Sequence, residues 1–220
     1  MKKTEPPQLM VIAGPNGAGK STVSINFAGK DAILYDPDKE SQKIYDKYAQ
    51  LPSESFYYFI NSHFQDTILK AIKTRKDYIL ETNFRDYQIM EAVEQFKNKG
   101  YQTNLMYFLL SSEKASMDRV TERVNDGGHF VDIHSIRLNY NEGLKNLQFF
   151  APRFDRVLLF DGSGRIGDLN PLLNLEGNKI KYISDNIPDW AEPTIQQVMA
   201  SLLLSRGPDD DNQPPTGLNR

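Results

Sequence analysis

Short apolar runs alternate along the chain with stretches of helical period. The runs lie at 9–13, 32–35, 78–80, 104–110 and 156–160. Most are continuous rather than alternating, which predicts strands of a parallel sheet buried on both faces. Between them, apolar residues mostly fall three or four apart. Phe56, Phe59, Ile60, Phe64, Ile68 and Ile72 predict a helix over 53–75. Ile89, Val93 and Phe96 predict one over 86–99, which Gly100 can close. Ala115, Val120 and Val124 predict one over 112–126, stopped at Gly127-Gly128, and Ile133, Ile136, Tyr140, Leu144 and Leu147 predict another over 132–149. Strand alternating with helix defines an α/β fold with a doubly wound parallel sheet of about five strands. After Asp161 the pattern weakens. Residues 162–178 are turn-rich, 179–183 read as a short edge strand, and 188–205 as a final helix beginning near Glu192-Pro193. Residues 206–220 hold three aspartates, three prolines and almost no apolar side chains, the composition of a disordered tail.

The chain divides into an N-terminal extension (1–8), one core-bearing domain (9–205) and the tail (206–220). A length of 220 residues with 39% hydrophobic side chains suits a single domain of that size. The formal net charge is −3, so no overall basic field favours a nucleic-acid partner. The absence of cysteine removes disulfides, thiolate metal sites and cysteine nucleophiles from consideration. Lys2 and Lys3 are followed by Glu5, Pro6 and Pro7, and the first apolar run is too short for a signal core. No stretch approaches the ~18 apolar residues of a spanning helix. A soluble, cytoplasmic protein with no membrane partner is the expectation.

One motif carries most of the chemistry. Gly14-Pro15-Asn16-Gly17-Ala18-Gly19-Lys20-Ser21 follows an apolar run and precedes a helix-compatible segment from Thr22. Glycines let a loop wrap its N–H groups around phosphates, and the next helix offers its positive end. Lys20 would reach the outer phosphates and the Ser21 hydroxyl would hold magnesium. This predicts ATP and Mg2+ as cofactors. A transporter ATPase would also need a Leu-Ser-Gly-Gly signature, and a GTPase an Asn-Lys-x-Asp motif. Neither occurs.

A small-molecule kinase needs the loop, an acidic base near the acceptor and arginines on a closing lid. The second apolar run ends in Asp36-Pro37-Asp38, at the edge where parallel strands present ligand residues. The same residues are ordinary turn chemistry, and both readings stand. The third run ends in Glu81-Thr82-Asn83; Glu81 could hold a magnesium water or the acceptor. Arg119 and Arg123 share a helix face, and Arg137 follows across Gly127-Gly128-His129. This predicts a helical lid over about 112–148, with arginines that cradle phosphate. A solvated face paired to Glu113, Glu122 or Asp126 is the plain alternative.

Taken in order, these motifs resemble the zeta-toxin-like P-loop kinases, in the branch often labelled predicted ABC-type ATPase. The resemblance spans roughly 9–163. It rests on 11–22, Asp36-Pro37-Asp38, Glu81-Thr82, the segment 119–131 with its Gly-Gly-His, Ile136-Arg137 with Tyr140, Asn146-Leu147, and Phe160-Asp161-Gly162-Ser163. It implies an ATP-dependent kinase whose best-known members phosphorylate a hydroxyl of UDP-N-acetylglucosamine and are held off by an antitoxin. It makes Lys20, Asp38, Arg123 and Arg137 catalytic, with Asp38 the base. It matches Glu81 to an acidic substrate-side position and puts Asp161 near the adenine; Asp36, where relatives more often have Asn, is read as a substrate-side candidate together with Thr82, Arg119 and His129. The branch usually carries further arginines where this chain has Leu138-Asn139. An NTP-dependent switch acting on a protein partner is the alternative reading, and a polynucleotide kinase a more remote one.

Overall fold

The computed structural model describes residues 5–204 other than 30, 49, 51, 129, 166 and 178. The proposed tail at 206–220 and His129 lie outside the described residues. The chain runs β1 (Gln8–Ala13), α1 (Lys20–Phe27), β2 (Ile33–Tyr35), α2 (Pro37–Tyr48), α3 (Ser53–Thr74), β3 (Tyr78–Thr82), α4 (Ile89–Asn98) and β4 (Gln102–Leu109). It continues with α5 (Glu113–Asn125), α6 (Ile133–Phe150), a 3-10 turn (Ala151–Arg153), β5 (Arg156–Asp161), β6 (Asn170–Glu176), β7 (Lys179–Ile183) and α7 (Glu192–Leu204).

One sheet has the order β2-β3-β1-β4-β5-β6-β7. The first five strands in that order are parallel, and β6 and β7 add antiparallel. Successive residues of β1 explain the continuous apolar runs. Leu9, Val11 and Ala13 join the core formed with α3, α4, α6 and α7, while Ile12 joins the core on the α1 side. β4 does the same with Leu105 and Tyr107 against Met106 and Phe108. A sheet covered on both faces has no room for polar alternation.

Two elements depart from the pattern. The strand β6 lies inside the stretch predicted as turns. Pro171, two asparagines and Gly177 disguise it, yet Leu172, Leu173 and Leu175 are buried. Pro171 sits opposite Phe160, beside a register shift in the ladder, where a missing N–H is tolerated. The sheet therefore has seven strands rather than about five. The helix α2 buries no residue, so no apolar stripe announces it. Its hold on α3 is aromatic and polar: Tyr48 stacks on Phe59 at 5.4 Å, Tyr45 meets Phe56 edge-on at 6.0 Å, and Glu40 pairs with His63 at 3.2 Å. Among the described residues no helix is long and apolar enough to cross a membrane.

β1 lies between β3, reached through β2, and β4, reached by crossing back. The winding direction reverses there, which opens a crevice at the C-terminal end of β1. The glycine-rich loop occupies that position.

Candidate active site

The loop 14–19 joins β1 to α1, and α1 begins at Lys20. Lys20 is buried, and its ammonium donates to Gly14 O at 2.8 Å, Pro15 O at 3.0 Å and Asn83 Oδ1 at 2.9 Å. Burial pushes its pKa below the ordinary lysine value. Glu81, Asp38 and Asp36 oppose that shift, and Arg123 adds to it. The loop, two strand ends and the segment 112–148 thus converge on one buried cation.

Glu81 pairs with Ile12 in the β3–β1 register, which sets its side chain beside α1. Ser21 Oγ donates to Glu81 Oε1 at 2.5 Å, and Ser24 Oγ donates to Oε2 at 2.9 Å. A hydroxyl and a carboxylate in contact are hard oxygen donors of the kind magnesium takes. Thr82 lies next to this pair, and its hydroxyl accepts from Phe84 N at 2.9 Å.

Asp36 and Asp38 part company. Asp36 is buried at the head of α2. Its Oδ1 accepts from the N–H groups of Asp38 (3.2 Å) and Lys39 (3.4 Å), and Lys39 Nζ pairs with Oδ2 at 2.9 Å. That is a capping position. Asp38, two residues on, is exposed and lines a cleft of about 390 Å³ together with Asn16, Asn83, Arg85, Asn139 and four residues between 130 and 135. The turn at 83–85 forms the opposite wall. Phe84 is fully buried at φ 58°, and Asn146 Nδ2 donates to both Phe84 O and Arg85 O at 2.8 Å. Gly143 of α6 lets the turn approach, since a Cβ there would lie 2.6 Å from Asn83 O.

The segment 112–148 contains α5 and α6, each capped by its first hydroxyl or carboxylate: Ser112 accepts from Ala115 N, Asp132 from Ser135 N. Hydrogen bonds from Ser135 hold the Asp132 carboxyl below its usual range. Arg119 spreads its guanidinium over four carbonyls: Gly17 (3.2 Å), Gly162 (2.5 Å), Ser163 (2.8 Å) and Gly164 (2.6 Å). It joins the phosphate loop to the turn after β5. There Asp161 Oδ1 accepts from Ser163 N at 2.7 Å. Gly17, at φ 78°, has no space for a Cβ, which would sit 2.7 Å from Arg119 Cβ. Ser116 Oγ donates to Asn16 O at 2.6 Å, and Asn139 Nδ2 to Asn16 Oδ1 at 2.7 Å. Arg123 packs on Gly128, whose N–H donates to Arg123 O at 2.8 Å. Arg137 is exposed, pairs with Glu113 at 3.6 Å and is not among the cleft-lining residues.

Arg119 yields a prediction. Replacing it with alanine removes a multidentate clamp, so ATP affinity falls at least ~10-fold. Arg119→Lys does not restore it, because an ammonium cannot span four carbonyls. Calorimetric titration of both variants with ATP checks this.

Lys20 contacts Asn83, Ser21 contacts Glu81, and the charges of Glu81, Asp38 and Arg123 act on Lys20. Asn83, Arg85, Ser24, Ser116 and Asn139 join them without a sequence signal; lone asparagines and serines in loops and helices are too common to stand out. Fold and site together define a P-loop kinase-type ATP-dependent phosphotransferase.

Comparison with known proteins gives the family. The zeta toxin family model matches residues 1–170, and the chain belongs to that family. An uncharacterized protein of Haemophilus influenzae is 22% identical over 140 residues, 60% of this chain and 92% of the relative. Among solved structures, that from the PezAT chromosomal toxin–antitoxin system of Streptococcus pneumoniae has TM-score 0.58 at 16% identity, covering 92% of this chain and 88% of the other. AvrRxo1-ORF1:ORF2, solved with ATP, has TM-score 0.57 at 14% identity, with 93% and 78% covered. These likenesses support the fold.

Proposed function

We propose that the protein transfers the terminal phosphoryl group of ATP to a hydroxyl of a small-molecule acceptor held in the cleft beside Asp38. The observation that carries this is that one cleft holds a carboxylate of α2 and a residue of the phosphate loop, Asn16, with Lys20 bonded to a third lining residue, Asn83. Donor and acceptor groups can therefore meet without crossing solvent. A cleft of about 390 Å³ falls within the range of small-molecule sites.

The loop N–H groups and Lys20 take the phosphates. Asp38 accepts the proton of the acceptor hydroxyl. The hydroxyl oxygen bonds to the terminal phosphorus as the bond from that phosphorus to the bridging oxygen breaks, and ADP leaves with the electron pair. Arg123, whose charge is felt at Lys20, offsets negative charge during transfer. Arg137 is proposed to close over the acceptor, and Asp161 with Arg119 to shape the nucleoside side. Ser21, with Glu81 through water, would hold magnesium, which neutralises phosphate charge when bound.

A sugar nucleotide such as UDP-N-acetylglucosamine is the first acceptor proposed, and a proteinaceous antitoxin the proposed partner; the similarity to a structure described as a toxin–antitoxin system supports the second. The test is incubation with γ-labelled ATP and a panel of sugar nucleotides, nucleosides and oligonucleotides. Label on a small-molecule hydroxyl compound is the expected result. Label on oligonucleotides, or on nothing, would contradict it.

A further inference from the structure

Asn16 is the sole phosphate-loop residue among those lining the acceptor cleft. It is where the phosphate loop meets the cleft. Its position is set from outside the loop by two helices. Ser116 of α5 holds its carbonyl at 2.6 Å, and Asn139 of α6 holds its side-chain oxygen at 2.7 Å. Both carboxamides are buried to within a few per cent, Asn16 at 5% and Asn139 at 6% exposure. Burying two amides costs free energy unless both find partners. They find each other, but the pairing uses only one donor and one acceptor. Asn16 and Asn139 both line the cleft, so the amide capacity left over from their pairing lies beside it.

We infer that Asn139 is a positioning residue for the terminal phosphate: by holding Asn16 Oδ1 it turns the Asn16 amide N–H groups toward the phosphoryl group in transit. The chemistry suits the location. A carboxamide N–H donates to an anionic oxygen without adding a charge. Lys20 already supplies a cation at the loop, with the Arg123 charge close enough to act on it. A second arginine in place of Asn139 would repel both, whereas a neutral donor does not. The Asn139–Asn16 contact also ties α6, which carries Gly143 and Asn146 under the 83–85 turn, to the loop. The helix thus fixes both walls of the cleft at once.

This deepens the proposed site and rests on ATP as the donor; it does not depend on which acceptor is phosphorylated. The experiment is equilibrium binding, with magnesium, of ADP and of an ATP analogue with an imido β,γ-bridge, read as the ratio of the two dissociation constants. A residue acting on the terminal phosphate changes that ratio; one that only supports the fold changes both constants together. Asn139→Ala and the isosteric Asn139→Asp are each expected to lower the preference for the triphosphate by about fivefold to tenfold, with ADP affinity within about twofold of wild type. Asn139→Asp falls at the upper end of that range, because it sets a carboxylate beside the phosphate. A ratio unchanged in either variant, or equal loss of both nucleotides, overturns the inference. Failure of acceptor labelling would sink the acceptor reading and leave this ratio measurable.

Discussion

Lys20→Ala is expected to lower the rate of phosphoryl transfer by ~10²–10³ or more while the protein stays folded. In the structure the Lys20 ammonium rests on two carbonyls of its own loop and on Asn83. Neutral oxygens are poor compensation for a buried charge, and burial lowers its pKa despite three nearby carboxylates. Anionic phosphate oxygens replace those carbonyls and repay the desolvation. The effect on stability has the opposite sign from the effect on activity. A cation whose folded pKa is depressed costs the fold free energy below that pKa, and the cost fades as pH rises toward the unfolded value. Removing the amine therefore leaves the melting temperature at neutral pH unchanged or raised. A stopped assay of transfer beside a thermal melt separates the two effects. Lys20→Arg does not rescue activity, because a planar fork does not fit a slot shaped for one point charge.

Asp38→Asn is the second large effect. General-base catalysis contributes ~10²–10⁴, and that factor is lost from transfer. The affinity for ATP changes by no more than about twofold, since Asp38 acts on the loop's Lys20 through its charge alone and lines the cleft where the acceptor is proposed to bind. The prediction is sharp because Asp38 is held in place by its surroundings. Asp36 caps the helix that carries it, and the Tyr48–Phe59 and Tyr45–Phe56 contacts fasten that helix to α3. Asn is isosteric and keeps those contacts. Transfer rate and ATP dissociation constant, measured on one preparation, decide it. Full transfer by Asp38→Asn would remove Asp38 from the role of base.

Sequence periodicity shows the sheet wherever burial on both faces forces continuous apolar runs, as in β1 and β4. It misses α2, which buries nothing, and β6, whose leucines are interrupted by proline and asparagine. The donor half of the site is equally legible, because a phosphate loop has a fixed spelling. Asp36 and Asp38 look alike as residues; the backbone makes one a cap and sets the other in the cleft. Arg119 reads from sequence as a phosphate-cradling or substrate-side arginine, and in the structure it holds four carbonyls. Asn16 and Asn139 stand 123 positions apart, and only the docking of α6 on the loop brings them to 2.7 Å. Contacts of that span leave no local pattern to read.

Transfer of the terminal phosphoryl group to an organic hydroxyl held beside Asp38 is the proposed reaction. The most direct measurement follows γ-label from ATP in a small-molecule cell extract, with wild type and Asp38→Asn side by side. Label is expected on an acid-stable organic phosphate with wild type and is nearly lost with Asp38→Asn. Release of inorganic phosphate alone, at equal rates from both proteins, would contradict it.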